Sequence, residues 1–367
     1  MAGRDMRWFR RARVPSCVRD GAPYDPAMPA RRPRDPAGPA RPAAKRGRLE
    51  EQLDALEAAC AGPDAARTAA LRAALDKGPS LVAARAAKVV RERGLDGFAA
   101  DLAGAFRRFL IDPVKTDPGC AAKLAALEAL DFGGHDDGAV FLEAVRHVQP
   151  EPAWGKPVDT AVGVRARGVL ALSRLSHPDL GFVAGTLLAD PASPVRQAAA
   201  EALASTGYAP HAAALALRFA AGDEDPLVAL GCATGLLALV PEQVLPLLRA
   251  ALAGADEAAR EVAALALGQS TRQEALDLLL EHVQAAPLAT ERAVVLRALG
   301  LQRNDRALAA LLKVVAEGSR QDAEAAIGGL GARRFDAGVR DRAHAAAAAS
   351  EHAERLEAAL AAAFPGD

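Results

Sequence analysis

DPASPVRQAAAEAL, residues 190–203, decides the fold. Asp190 and Pro191 form a turn, Pro194 suits a first helical turn, and Val195, Ala199, Ala202 and Leu203 recur at helical spacing on one face. Its last residue belongs to a ruler. Leu172, Leu203, Leu236, Leu267, Leu299 and Leu330 are 31, 33, 31, 32 and 31 residues apart. Arg165, Arg196, Arg260 and Arg292 each stand seven residues before such a leucine. A second ruler marks the preceding helix of each pair. Pro178, Pro210 and Pro241 are 32 and 31 residues apart, and the series continues at Arg272, beside the capping box Thr271-x-x-Glu274, and at Asn304. One period from two independent rulers means that each unit of about 31 residues is one helix pair, stacked on the next.

The pattern D-P-x-x-x-V-R-x-x-A-x-x-A-L resembles the short HEAT repeats named after phycobilin lyases, well over 117–333 and more loosely over 48–116 and 334–364. That resemblance implies an all-α solenoid, an armadillo-type superhelix of about eight to nine helix pairs with second helices lining its concave face. It specifies an architecture and no reaction. Alanine and leucine dominate and aromatic residues make up only 4%, which suits thin layers of closely packed helices.

Outward from the array, the expected organisation has four parts. Residues 1–47 form a disordered basic tail rich in Arg, Pro and Ala. All three methionines, Met1, Met6 and Met28, fall in it, so a start further downstream is one expectation. Residues 48–116 form divergent N-terminal repeats with helices near 48–60, 64–77, 79–93 and 95–111. Residues 117–333 carry the regular repeats, and 334–367 a capping pair with a charged outer face.

Charge narrows the partners. Residues 1–48 hold 13 Lys/Arg against 4 Asp/Glu, leaving the remainder at about -10. An acidic body argues against nucleic acid, whose backbone demands clustered cations. An adaptor for DNA or RNA would need Arg165, Arg167, Arg196, Arg260, Arg292 and Arg297 as an unpaired basic stripe. Cys17, Cys60, Cys120 and Cys232 form no C-x-x-C pair, which fits reduced thiols in a cytoplasmic protein. The longest apolar run, 227–240, is too short for a bilayer and is closed by Pro241.

Arginine early in a helix opposes the helix dipole and calls for a compensating partner. Asp159 and Asp190 each lie six residues before an arginine, and Asp223 shares their register. The expected arrangement is an inter-repeat ladder of Asp159, Arg165, Asp190, Arg196, Asp223, Arg260 and Arg292. Exposed pairs of this kind add little stability each.

The array is interrupted once. From Leu127 to Leu172 the step is 45 residues, and the excess falls in QPEPAWGKPVDT, 149–160. A loop of this length inside a compact array is a candidate functional element. Trp154 either plugs an apolar gap between repeats or contacts a partner. A helical hairpin about 132–135 brings Cys120, Arg146 and His147 to the end where the loop departs, with Lys115 and Lys123 nearby. KTDPGCAAK…RHVQPEPAWG…DTA resembles a segment of bacterial HEAT-repeat proteins of uncharacterised function, and this resemblance supplies no activity.

No P-loop, G-x-G-x-x-G, G-x-S-x-G or H-E-x-x-H motif occurs. The di-iron hydroxylases of this fold use His-Glu pairs, and no histidine here is followed by glutamate. Neither catalytic residues, a metal site nor a cofactor is expected. The sequence reads as a noncatalytic scaffold for another protein; a chromophore-handling, lyase-like role is the alternative carried by the repeat resemblance.

Overall fold

The structure is a computed structural model that describes residues 43–365. Most of the basic N-terminal segment, Cys17 included, lies outside the described residues, and the first helix begins at Ala43. Twenty α-helices and one two-stranded ribbon make up the described chain, which is an all-α solenoid. Its helices fall into two compact units.

The first unit holds α1 (Ala43–Ala61), α2 (Asp64–Lys77), α3 (Ser80–Glu92), α4 (Ala99–Arg108), α5 (Pro113–Thr116) and α6 (Ala121–Phe132). Helix α6 packs on α3 and α4, so it groups with the N-terminal helices, whereas the sequence reading began the regular array at residue 117. One buried ion pair joins these elements. Lys123 Nζ lies 3.0 Å from Asp117 Oδ2 and donates to the carbonyl oxygen of Phe109 (3.2 Å), and neither charged side chain reaches solvent. Asp117 also accepts the first free amides of α6, those of Ala122 and Lys123, each at 3.0 Å, which caps the helix.

The second unit runs from the turn Pro118–Cys120 and residue 134 onward. It comprises α7 (Ala139–Ala144), β1 (Pro150–Glu151), β2 (Val158–Asp159), α8 (Val162–Arg174), α9 (Leu180–Leu187), α10 (Ser193–Ser205), α11 (Ala212–Ala221), α12 (Pro226–Leu239), α13 (Pro241–Leu252), α14 (Glu257–Gln269), α15 (Gln273–Ala285), α16 (Ala289–Leu299), α17 (Asp305–Glu317), α18 (Arg320–Gly331), α19 (Val339–Ala348) and α20 (Ala353–Ala363). The even-numbered helices from α8 to α20 stack in one row, and each odd-numbered helix packs on its own pair. All six ruler leucines are buried in this row, which explains their period: each is the point where a second helix meets its neighbours.

The row is tight because small residues let backbones approach. A Cβ placed on Gly300 would lie 1.9 Å from the carbonyl oxygen of Gly329, and one on Gly329 would lie 2.5 Å from that of Leu296. These contacts are with main chain, which cannot swing aside.

Candidate functional site

The interruption at 149–160 is an antiparallel ribbon rather than a plain loop. Pro150 pairs with Asp159 and Glu151 with Val158. Two residues per strand are too few to persist alone, and side chains hold the ribbon. Glu151 Oε1 accepts from the Gly119 amide, Gln149 Nε2 and Thr160 Oγ1, each at 2.7 Å. Asp159 Oδ1 accepts from the amides of Gln149 (2.9 Å) and Ala161 (3.0 Å). His147 Nε2 lies 3.1 Å from Gln149 Oε1, and the Cys120 thiol 3.5 Å from the Thr160 hydroxyl. Gly119 and Cys120 both have left-handed backbones, with φ of 72° and 56°; the non-glycine residue there carries strain, and the turn it makes aims the Gly119 amide at Glu151.

Trp154 stands at the tip with a relative exposure of 108%. It covers no gap, so the plug reading is overturned: the three prolines and Gly155 (φ 97°) carry residues 152–157 away from the helices. Val148 and Val158 at the base are also exposed. Solvent-exposed tryptophan is costly to leave unpartnered and typical of contact anchors.

The sequence-derived residues divide between the units. Cys120, Arg146, His147 and Trp154 belong to the second and Lys115 and Lys123 to the first. Arg146 and Lys115 are exposed and His147 is half-buried. Lys123 and Cys120 are corrections as surface contacts, since both are buried. Lys123 is held by its ion pair with Asp117, and Cys120 faces Thr160. Gln149, Glu151 and Thr160 carry the network and went unnoticed in the sequence. Their only signal was polar residues flanking the prolines at both ends of the insertion.

The ladder is present and differs from expectation in burial. Arg165 reaches Asp159 through Nη1 (2.7 Å) and grips Asp190 through Nε (2.8 Å) and Nη2 (3.1 Å). Arg196 grips Asp223 through Nε (2.9 Å) and Nη2 (2.7 Å). Arg260 contacts Glu291 at 3.2 Å, and Arg292 grips Asp322 at 3.0 Å through both Nε and Nη2. The Arg196 and Asp223 side chains are only 4% and 1% exposed, so this pair is interior rather than on the surface, while Arg292 and Asp322 are partly exposed. Burial pushes the Asp223 carboxyl up, but Arg196, the Asp225 amide and Arg218 outweigh it and leave it below the usual carboxylate range. Asp159 behaves alike: burial is outweighed by the Gln149 and Ala161 amides and Arg165. With these arginines engaged in pairs, the unpaired basic stripe a nucleic-acid adaptor requires does not exist at Arg165, Arg196, Arg260 and Arg292.

Burial pushes the Cys232 thiol up to about 12, the opposite of an activated nucleophile. Among the described residues no group of three His, Cys, Asp or Glu could hold a metal ion, and no helix is long and apolar enough to cross a membrane.

Residues 215–300 match the family model for HEAT repeats. None of the curated proteins matches the chain. Among solved structures, the complex of CpcE and CpcF of phycocyanin lyase from Nostoc sp. PCC7120 is similar at 17% identity, over 76% of this chain and 94% of that one, with a TM-score of 0.31. Human deoxyhypusine hydroxylase in complex with glycerol is similar at 18% identity, over 87% and 95%, with a TM-score of 0.25. Residues 215–300 are thus HEAT repeats, set within an all-α solenoid of stacked helix pairs.

Proposed function

We propose that the protein is a noncatalytic scaffold that binds another protein, and that the ribbon at 149–160 is its principal contact element. The observation that carries this reading is the pairing of full exposure at Trp154 with a base fixed by Glu151, Gln149, Thr160 and Asp159. A large aromatic side chain gains most from burial at an interface, and a preorganised support lowers the entropy lost on binding. Stacked repeats supply the extended helical surface beside it. Cys60, Cys120 and Cys232 are buried free thiols, which supports a reducing, cytoplasmic setting.

Site-specific photo-crosslinking tests the reading. A benzophenone amino acid at position 154 should capture one discrete partner in cells, while the same group at Phe335, also exposed, should not. Trp154→Ala should abolish co-purification of that partner. Identical products from both positions, or co-purification unaffected by Trp154→Ala, would contradict it.

A further inference from the structure

The segment that forms the ribbon is formally neutral and yet offers cations. Residues 144–161 hold Arg146 and Lys156 against Glu151 and Asp159. Both carboxylates are engaged at the base. Glu151 Oε1 accepts from the Gly119 amide, Gln149 Nε2 and Thr160 Oγ1. Asp159 accepts the amides of Gln149 and Ala161 on Oδ1 and Arg165 Nη1 on Oδ2. Neither is left to meet an incoming surface. Arg146 and Lys156, by contrast, are both exposed.

Their placement matters as much as their sign. Lys156 stands two residues from Trp154 in the tip 152–157, every residue of which is exposed, and Arg146 precedes the exposed Val148 at the base. A surface that buries Trp154 therefore brings its own edge to Lys156. Charges more than about 8 Å apart are largely screened at physiological salt, so these two cations, and not the net charge of the repeats, set the electrostatics of that edge. An apolar or cationic edge would strip water from Lys156 and return nothing; a carboxylate there returns a charge-assisted hydrogen bond.

Given the ribbon's role as contact element, on which this inference rests, we infer that the partner is a protein offering an apolar socket for Trp154 with carboxylates at its rim, which meet Lys156 and Arg146. Trp154 supplies the buried anchor and the cations supply register and partner choice, the usual division between the centre and the rim of an interface. An extended polyanion fits less well. A lipid surface or a nucleic acid would gain only these two contacts from the ribbon, while the rest of the chain, at about -10 after residue 48, is repelled along its length. Carboxylates confined to one rim reach the tip without approaching the repeats.

The test uses the full chain and the purified protein captured through position 154, with affinities measured by titration calorimetry across salt concentrations. Lys156→Glu should weaken binding about tenfold at low salt, and Arg146→Glu by a smaller factor, the effect of reversing a rim charge. Both deficits should shrink towards zero at high salt, and Lys156→Arg should bind like the wild type. Lys156 and Arg146 are exposed, so these variants keep the fold. Binding by Lys156→Glu that equals or exceeds the wild type at low salt overturns the carboxylate rim; if Trp154→Ala still abolishes binding, the ribbon remains the contact element. Failure to capture any protein, or binding indifferent to Trp154→Ala, overturns the contact reading and the rim with it. Sedimentation of the full chain with phosphatidylcholine–phosphatidylserine vesicles, lost in Trp154→Ala, overturns the protein socket in favour of a membrane.

Discussion

Arg196 and Asp223 join consecutive repeats by a two-pronged ion pair, while Arg196 Nη1 donates back to the main-chain carbonyl oxygens of Asp190 (2.8 Å) and Pro191 (3.1 Å). One guanidinium thus holds its own turn and the next repeat's carboxylate. Arg292 repeats the arrangement, with Nη1 on the carbonyl oxygens of Ala286 (2.9 Å) and Pro287 (3.1 Å). Removing one member strands a buried charge. Asp223→Ala should cost about 3–5 kcal/mol, and the triple replacement Arg196→Met, Arg218→Met and Asp223→Leu, which also removes the second guanidinium on Asp223, much less. Urea denaturation of the three proteins gives the comparison.

Acid should weaken the ladder in a definite window. The Asp159 and Asp223 carboxyls are held below their ordinary range when folded. Their contribution is therefore complete above the unfolded-state value of about 3.9 and is lost as pH falls through the lower folded-state value. Melting temperatures between pH 7 and pH 3 should drop at the acid end, and Asp223→Asn should flatten that drop. A profile unchanged by Asp223→Asn would contradict the assignment.

Two neighbouring glycines of α18 should respond with opposite signs. Gly328 has open space where a Cβ would go, whereas Gly329 faces the Leu296 carbonyl oxygen. Gly328→Ala should stabilise by about 0.5–1 kcal/mol. Gly329→Ala should destabilise by about 1–3 kcal/mol, because the main chain it meets must move. Thermal denaturation separates the two.

Cys232 should be inert in the folded chain. Its thiol is buried and pushed up to about 12, so iodoacetamide at pH 8 should label it only in denaturant. Peptide mass spectrometry reads the result, and rapid native labelling would show that the helix around it opens.

Much of this architecture was legible in the order of residues. The ruler leucines are all buried, because helical repeats place the same position in the same surroundings each time; of the ladder, the six-residue spacing matches Asp159–Arg165, whereas Arg196 reaches forward to Asp223 and Arg260 to Glu291. The N-terminal helices were also visible from their punctuation: α2 and α3 each follow a proline, Pro63 and Pro79. What could not be read was non-local or against habit. Glu151 meets Gly119 across 32 positions, and nothing periodic announces that contact. Lys123 is fully buried although lysine is ordinarily a surface residue, and only the Asp117–Phe109 surroundings explain it. The burial of Arg196 likewise depends on how closely the turns stack, which spacing alone leaves open.

The exposure of Trp154 on an anchored ribbon is the central claim, and its own fluorescence tests it most directly. Trp8 and Trp154 are the two tryptophans of the chain, so Trp8→Phe leaves a single reporter. The account predicts the red-shifted emission of a solvated indole, acrylamide quenching close to that of a free tryptophan derivative, and no change in either on mild heating below the melting transition. Blue-shifted emission protected from acrylamide in the isolated protein would mean that Trp154 is packed against the repeats, and would contradict it.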